Sequence, residues 1–174
     1  MRKKILFLNA VLFFLFTSVS VSTAQTTFNC KVDGDEFTGK INDALVVKIG
    51  EENYIQIRVE DKESVLYLYL KATKVSNEIP LKLEYMEHDP EKGQTPDAEI
   101  IWAPEGGDGP QWNTVKGKAV ITSVDETSQT ISGNFEFTVE KFSYSSKANQ
   151  ERPSLDVTDG MFANVQYRTE EKSN

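Results

Sequence analysis

The chain holds few side chains that could carry nucleophilic or zinc chemistry. His88 is its only histidine and Cys30 its only cysteine among 174 residues. A Ser-His-Asp or Cys-His arrangement would have to use His88 as its base, and the G-x-S-x-G turn of one large hydrolase class is absent. One imidazole and one thiol are also too few for a structural zinc site within one chain. We therefore expect neither chemistry.

Carboxylates are the abundant reactive groups, with 27 Asp and Glu residues. Asp33, Asp35 and Glu36 crowd one turn, but the residues around Gly34 do not continue as a calcium-binding loop. The segment Gly106–Gly109 lacks the Lys-Ser/Thr end of a phosphate-binding loop. Any two acids could form the carboxylate pair of a glycoside hydrolase, so their number alone indicates nothing. We expect no metal and no cofactor, and the sequence favours a protein that is not an enzyme.

Tyrosines in two neighbouring segments are the most specific binding signal. Tyr54 and Arg58 alternate with isoleucine, and Tyr67 and Tyr69 alternate with leucine. If the two segments pair as strands, these four side chains share one outward surface, since alternate side chains point to opposite faces. Such a surface could stack on sugar rings or dock a protein partner. Cross-strand pairing, or cover by a loop, would explain the same residues without a ligand.

Two tryptophans flank the glycine-rich loop that contains Asp108. Trp102 and Trp112 could line the mouth of a pocket, or they could close the end of a hydrophobic core. The candidate binding residues are therefore Tyr54, Arg58, Tyr67, Tyr69, Trp102, Asp108 and Trp112.

Alternation of apolar and polar residues indicates that strands position these side chains. In Thr130–Val139 the inward parity carries Ile131, Phe135, Phe137 and Val139. Gly133 shares that parity, which indicates a bulge or the close approach of another backbone.

About nine or ten short strands, with little helix, follow from the same pattern. The spacing predicts an all-β fold, either an antiparallel two-sheet sandwich or a flattened antiparallel barrel. Three polar loops interrupt the strands, at 86–97, 104–114 and 143–153. Asp159-Gly160 is predicted to be a tight turn between two of the strands.

The N-terminus predicts export. Met1–Ala24 has a basic start, an apolar stretch too short for a confident membrane span, and a small-x-small site at Ser22-Thr23-Ala24. We expect a cleavable signal over residues 1–24, a single domain over residues 25–169 and a frayed tail over residues 170–174. Thr27-Phe28-Asn29 does not provide the small and aliphatic residues that lipidation at Cys30 would require.

Charge and cysteine usage limit the partners and the means of stabilisation. The net charge of −8 becomes −11 when a signal with three basic residues and no acid is removed. A negative chain repels phosphate backbones and anionic lipid, so we expect no nucleic acid, no membrane-surface partner and no membrane span after cleavage. A lone Cys30 cannot form an intramolecular disulfide and is expected to be a small buried residue.

Three segments, together with the signal-like N-terminus, resemble a family of exported Gram-negative bacterial proteins of unknown function, many of them lipoproteins. They are V-D-G-x-x-F at Val32–Phe37, I-S-G-x-F-x-F at Ile131–Phe137 and T-D-G-x-F-x-N-V at Thr158–Val165. The resemblance implies an all-β domain in the cell envelope, periplasmic or secreted, and it implies no catalytic residues. The sequence thus favours a non-catalytic binding module for an envelope glycan or protein. A lipocalin-like carrier of a small apolar ligand and a carboxylate-pair hydrolase are the alternatives.

Overall fold

The computed structural model describes residues 25–76, 78–89, 91–105, 109–142 and 152–169. The predicted signal, the predicted tail, Asp108 and most of the 143–153 loop lie outside the described residues. No α-helix occurs in the described part, where the strands are β1 Thr27–Val32, β2 Asp35–Phe37, β3 Lys40–Ile49, β4 Glu52–Glu60, β5 Val65–Lys71, β6 Leu81–Glu84, β7 Ala98–Ala103, β8 Trp112–Asp125, β9 Thr130–Lys141, β10 Ser154–Gln166 and β11 Arg168–Thr169.

These strands form one continuous sheet that curls into a half-barrel. The order is β11-β3-β4-β5-β7-β8-β9-β10-β1-β2, with β6 paired to β8. Every pair is antiparallel except the short β11–β3 pair. The all-β prediction is confirmed, whereas the two-sheet sandwich is not, because the strands are hydrogen-bonded in a single sheet.

A two-residue connection explains why the sheet must curl. β2 and β3 are eight strands apart in the order, yet only Thr38 and Gly39 join them. A flat sheet would separate them by roughly 38 Å at about 4.8 Å per strand, whereas three Cα steps span at most about 11 Å. A Cβ on Gly39 would lie 2.5 Å from Val59 of β4. The two ends of the sheet therefore meet at Gly39.

The concave face of the sheet carries a single hydrophobic core. The inward residues predicted for Thr130–Val139 are buried, which confirms that prediction. The Phe135 ring lies 5.3 Å from that of Phe28 and 6.4 Å from that of Phe162. The fully buried large side chains are Phe162, Ile55, Ile57, Leu66, Leu68, Leu70, Leu83, Ile100, Ile121, Ile131, Val59 and Val139.

Gly133 marks a close backbone approach, as the sequence predicts. A Cβ at this position would lie 2.5 Å from the carbonyl oxygen of Val120 and 2.7 Å from the ring of Phe162. The registers of the two neighbouring strands shift beside it, between Ile121 and Ser123 in β8 and between Phe162 and Val165 in β10. Only glycine fits between these neighbours without displacing them.

The predicted tight turn at Asp159-Gly160 is wrong. β10 runs through both residues as one strand, with a register shift between Val157 and Gly160. Asp159 has a φ of 52°, a left-handed value that a turn or a bulge can equally use. The bulge brings Gly160 against the Phe135 ring, where a Cβ would lie 2.5 Å from the nearest ring atom.

β7 and β8 pair only at one end and then diverge. The Thr114 hydroxyl accepts a hydrogen bond from the Ile100 amide and donates one to the Ile100 carbonyl, both at 2.8 Å. Beyond this point β6 pairs with β8, with Leu83 opposite Ala119. The chain must therefore travel from the end of β6 back to the start of β7, through residues 85–97.

Candidate functional site

The convex faces of β4, β5 and β7 carry a polar and aromatic surface. Register places Arg58 opposite Tyr67, Gln56 opposite Tyr69, and Tyr69 opposite Glu99. The alternate residues of β4, such as Ile57, are buried in the core. The structure thus brings together four of the residues that the sequence singled out. We call this surface the tyrosine face, formed by Tyr54, Gln56, Arg58, Tyr67, Tyr69, Lys71 and Glu99.

The aromatic side chains of the tyrosine face form a continuous row. The Tyr67 and Tyr69 rings stack with centroids 6.3 Å apart, and the Tyr54 ring meets Tyr69 edge-on at 6.4 Å. The Arg58 guanidinium lies 5.9 Å from the Tyr67 ring centroid, within cation–π range. Gln56 donates a hydrogen bond to the Tyr69 hydroxyl at 2.8 Å. The row is therefore ordered by its own contacts before any ligand arrives.

Residues 85–97, which we call the covering segment, fold over one end of this row. The Tyr54 hydroxyl donates to the Pro96 carbonyl at 2.9 Å, and Tyr54 is only 3% exposed. Lys71 Nζ donates to Thr95 Oγ1 at 3.0 Å and pairs with Glu52 at 2.9 Å. Cover by a loop therefore accounts for Tyr54, whereas Arg58 and Tyr67 at the other end stay half-exposed.

The covering segment has its own internal structure. Asp89 and Gln94 exchange backbone hydrogen bonds of 3.0 and 2.9 Å. Asp89 also accepts bonds from the amides of Glu91 and Lys92, and it pairs with the Lys92 ammonium at 2.7 Å. The Lys92 hydrogen bond lowers the pKa of Asp89. Gly93, with a φ of 64°, supplies the left-handed turn residue. The segment is a small hairpin attached at Thr95 and Pro96.

A pocket of about 540 Å³ lies between the covering segment and the sheet. Tyr54 and Glu99 come from the sheet, Tyr85 and His88 come from the covering segment, and Gly50 in the β3–β4 turn forms part of the rim. Pockets of a few hundred cubic ångströms that combine aromatic walls with a few polar groups are typical small-molecule sites. This pocket is therefore the candidate site.

Glu99 is the least satisfied polar group of the pocket. Burial raises the pKa of its carboxyl, and nearby His88 opposes that shift only in part. Among the described residues, none donates a hydrogen bond to this carboxylate or pairs with it. Burial likewise raises the pKa values of Tyr54, Tyr69 and Tyr85, so these hydroxyls stay neutral. The pocket thus offers an unpaired carboxylate among neutral phenols.

The other predicted binding residues lie elsewhere. Trp102 is 7% exposed, and its ring meets the Phe37 ring edge-on at 5.0 Å inside the core. Trp112 stands opposite Trp102 and packs against the same core, with its indole nitrogen lacking a partner in the part of the chain that is described. These tryptophans close the end of the core and do not join the tyrosine face.

Of the residues that line the pocket, only Tyr54 was predicted from the sequence to be a binding residue. Glu99 lies on the outward parity of β7, a strand that is otherwise apolar, and this position could have identified it as a candidate. Tyr85 continues the apolar parity of Leu81 and Leu83, which indicates core packing, and Thr95 gave no signal because it lies in a polar loop without periodicity. His88 was considered only as a catalytic base or a zinc ligand, whereas the structure places it on the pocket wall.

Cys30 and the acidic residues near it form no reactive centre. The thiol is buried, and burial together with Glu36 raises its pKa to about 12, so it stays protonated. The described residues contain no group of three or more His, Cys, Asp or Glu side chains able to hold a metal ion. They also contain no helix with the length and apolar character needed to cross a membrane.

Comparison of the chain with protein-family models, with curated proteins and with solved structures gives no match. The family resemblance of the three sequence segments therefore stays a prediction.

Proposed function

We propose that this protein is a non-catalytic binding module that takes a glycan into the pocket beneath the covering segment. The observation that carries the proposal is the Glu99 carboxylate, half-buried and without a partner among the described residues. A desolvated polar group without a hydrogen bond costs free energy, and a ligand that donates to it recovers that cost. The Glu99 carboxylate therefore gains a hydrogen bond when such a ligand occupies the pocket.

The chemistry of the pocket suits a sugar better than a flat protein surface. The site is concave, and a volume of about 540 Å³ accommodates one or two sugar rings. The half-exposed Tyr85 ring offers an apolar face to sugar C–H groups, while its hydroxyl and the Glu99 carboxylate bond to sugar hydroxyls. Tyr67 and Arg58 continue the same row outside the pocket, so a longer chain of sugars would extend along the tyrosine face.

We propose that the protein meets this glycan in the cell envelope, after export. The support is the signal-like pattern of Met1–Ala24 and the resemblance of the three segments to exported proteins. The negative net charge of −8 disfavours nucleic acid and anionic lipid as partners. For the fold, we propose a flattened barrel whose two arms face each other as in a sandwich. The contact between Phe37 of β2 and Trp102 of β7 across the core supports this arrangement.

A carboxylate-pair hydrolase is the second candidate, and a specific observation favours it. Glu52 and Glu99 line the same pocket. Glu52 is held beside the Lys71 ammonium, whereas burial raises the pKa of Glu99. Carboxyls in such different environments can serve as base and acid. The lipocalin-like alternative has no comparable support, since the concave face is packed with fully buried side chains.

A glycan array probed with the wild-type protein tests the proposal. We expect binding that Glu99→Gln weakens at least tenfold and that Glu136→Gln leaves unchanged. Glu136 is a matched control, because it is an exposed strand glutamate that does not line the pocket and is paired with Lys118. Shortened products after incubation would favour the hydrolase. Failure of every envelope glycan to bind would remove the proposal.

A further inference from the structure

We propose that the pocket selects glycans that carry a free amino group, an inference that rests on the proposed function. The amino group binds as an ammonium beside the Glu99 carboxylate. Such a pocket would exclude uronic acids and bind an amino sugar more tightly than its N-acetylated counterpart, because of its geometry and its charge.

The pocket presents negative charge to anything that enters. Glu51, Glu52 and Glu99 all line it. Lys71, the neighbouring cation, is already engaged, because its ammonium pairs with Glu52 at 2.9 Å and donates to Thr95 at 3.0 Å. The whole chain adds to this potential with a net charge of −8. A ligand carboxylate would meet repulsion here, whereas an ammonium is attracted.

A cation stabilises the ionised Glu99 carboxylate more than a hydroxyl donor does. Its carboxyl lies on the sheet floor beside Tyr69, with Tyr54 and Tyr85 on the pocket walls. A charge removed from water is stabilised best by an opposite charge that also donates hydrogen bonds. An ammonium does both, and a hydroxyl or an N-acetyl amide supplies only the hydrogen bond.

The aromatic walls reinforce the same choice. Tyrosine rings attract cations through their electron-rich faces, and pockets that combine aromatic rings with an acid are a recurrent solution for ammonium ligands. His88 lies on the opposite wall, in the covering segment. The covering segment is attached to the sheet through Tyr54 and Lys71, so the walls keep their spacing when the pocket is empty.

Titration calorimetry with two matched oligosaccharides tests the inference. The probes are glucosamine oligomers and N-acetylglucosamine oligomers of equal length, measured at neutral pH and low salt. We expect the amino form to bind at least tenfold more tightly, and its affinity to fall as salt is added. Glu99→Gln should remove the preference, whereas Glu136→Gln should keep it. Thermal melts would confirm that both variants fold.

The outcomes separate the inference from the proposed function. Equal affinity for both oligomers, or a preference for the N-acetylated form, would overturn the ammonium inference and leave glycan binding intact. An amino preference that survives Glu99→Gln would also overturn it, because the charge of the whole chain would then be the cause. Binding of neither oligomer overturns the inference, and the glycan array then decides the proposed function separately.

Discussion

Two flanks of the same sheet bury different surfaces. The phenylalanine flank, formed by β8, β9, β10 and β1, packs Phe28, Phe135 and Phe162 on its concave face. Its convex face carries exposed ion pairs, such as Lys118–Glu136 at 2.7 Å. The tyrosine flank, formed by β4, β5 and β7, packs aliphatic side chains on its concave face and also buries tyrosines on its convex face.

The two flanks therefore contribute differently to stability and to binding. Exposed ion pairs contribute at most about 1 kcal/mol, so the phenylalanine flank is stabilised almost entirely from its concave side. The tyrosine flank is ordered on both sides, and its convex side ends in the pocket that contains Glu99. Substitutions in the first flank should therefore change stability alone, whereas those on the second should change binding at a small cost in stability.

The largest expected effect lies at Phe135. Phe135→Ala removes a ring that is packed among three others, and we expect a loss of about 3–5 kcal/mol in unfolding free energy. Tyr67→Ala on the tyrosine flank, where the ring is half-exposed, should cost no more than about 1 kcal/mol. Urea unfolding of both variants measures the contrast. Similar losses would contradict the division between the flanks.

Gly133 gives the next largest effect. Gly133→Ala would place a methyl group 2.5 Å from the Val120 carbonyl oxygen, and backbone cannot move aside cheaply. We expect a loss of about 1–3 kcal/mol from overpacking. Asn134→Ala, next to it on the exposed face, should stay within about 0.5 kcal/mol of wild type. A neutral Gly133→Ala, measured by thermal unfolding, would show that the close approach is not a constraint.

Tyr54 tests how firmly the covering segment is held. Tyr54→Phe removes the hydrogen bond to Pro96, and we expect a loss of about 0.5–1.5 kcal/mol. Amide hydrogen exchange should accelerate at Asp97 and Lys71, whose backbones join the segment to the sheet. Tyr67→Phe is the matched control, since its hydroxyl has no partner among the described residues. Unchanged exchange in Tyr54→Phe would indicate that other contacts hold the segment.

The smallest effect is a pH-dependent one at Glu99. Burial raises the pKa of this carboxyl in the folded protein, so ionisation above its ordinary value near 4.3 destabilises the fold. Glu99→Gln should therefore raise the melting temperature at neutral pH. The difference should vanish at acidic pH, where the carboxyl is protonated in both states. If the melting temperature of Glu99→Gln at neutral pH is equal to or lower than that of the wild type, the ionised Glu99 carboxylate does not destabilise the fold.

Side-chain alternation predicted much of the fold and part of the site. Burial of the inward parity in β4, β5 and β9 follows directly from it, as does the shared face of Tyr54, Arg58, Tyr67 and Tyr69. The prediction at Asp159-Gly160 was wrong, because a left-handed residue such as Asp159 can serve a bulge as well as a turn. The cover over Tyr54 was not predictable in detail, since the covering segment is held by backbone and single polar contacts that leave no periodic pattern.

The position of β1 has a consequence for how the chain folds. Phe28, near the start of the described chain, pairs with Phe162, near its end. β8 and β9 in contrast pair across a short local turn at residues 126–129. Closing so long a loop costs conformational entropy before the contacts that offset this cost can form. For this reason, β folds dominated by distant pairings refold in milliseconds to seconds. During synthesis, β1 can pair with β2 at once, whereas its other edge has no partner until β10 has left the ribosome. The half-barrel is thus completed by its earliest-made strand, and a chain arrested before β10 cannot complete its core.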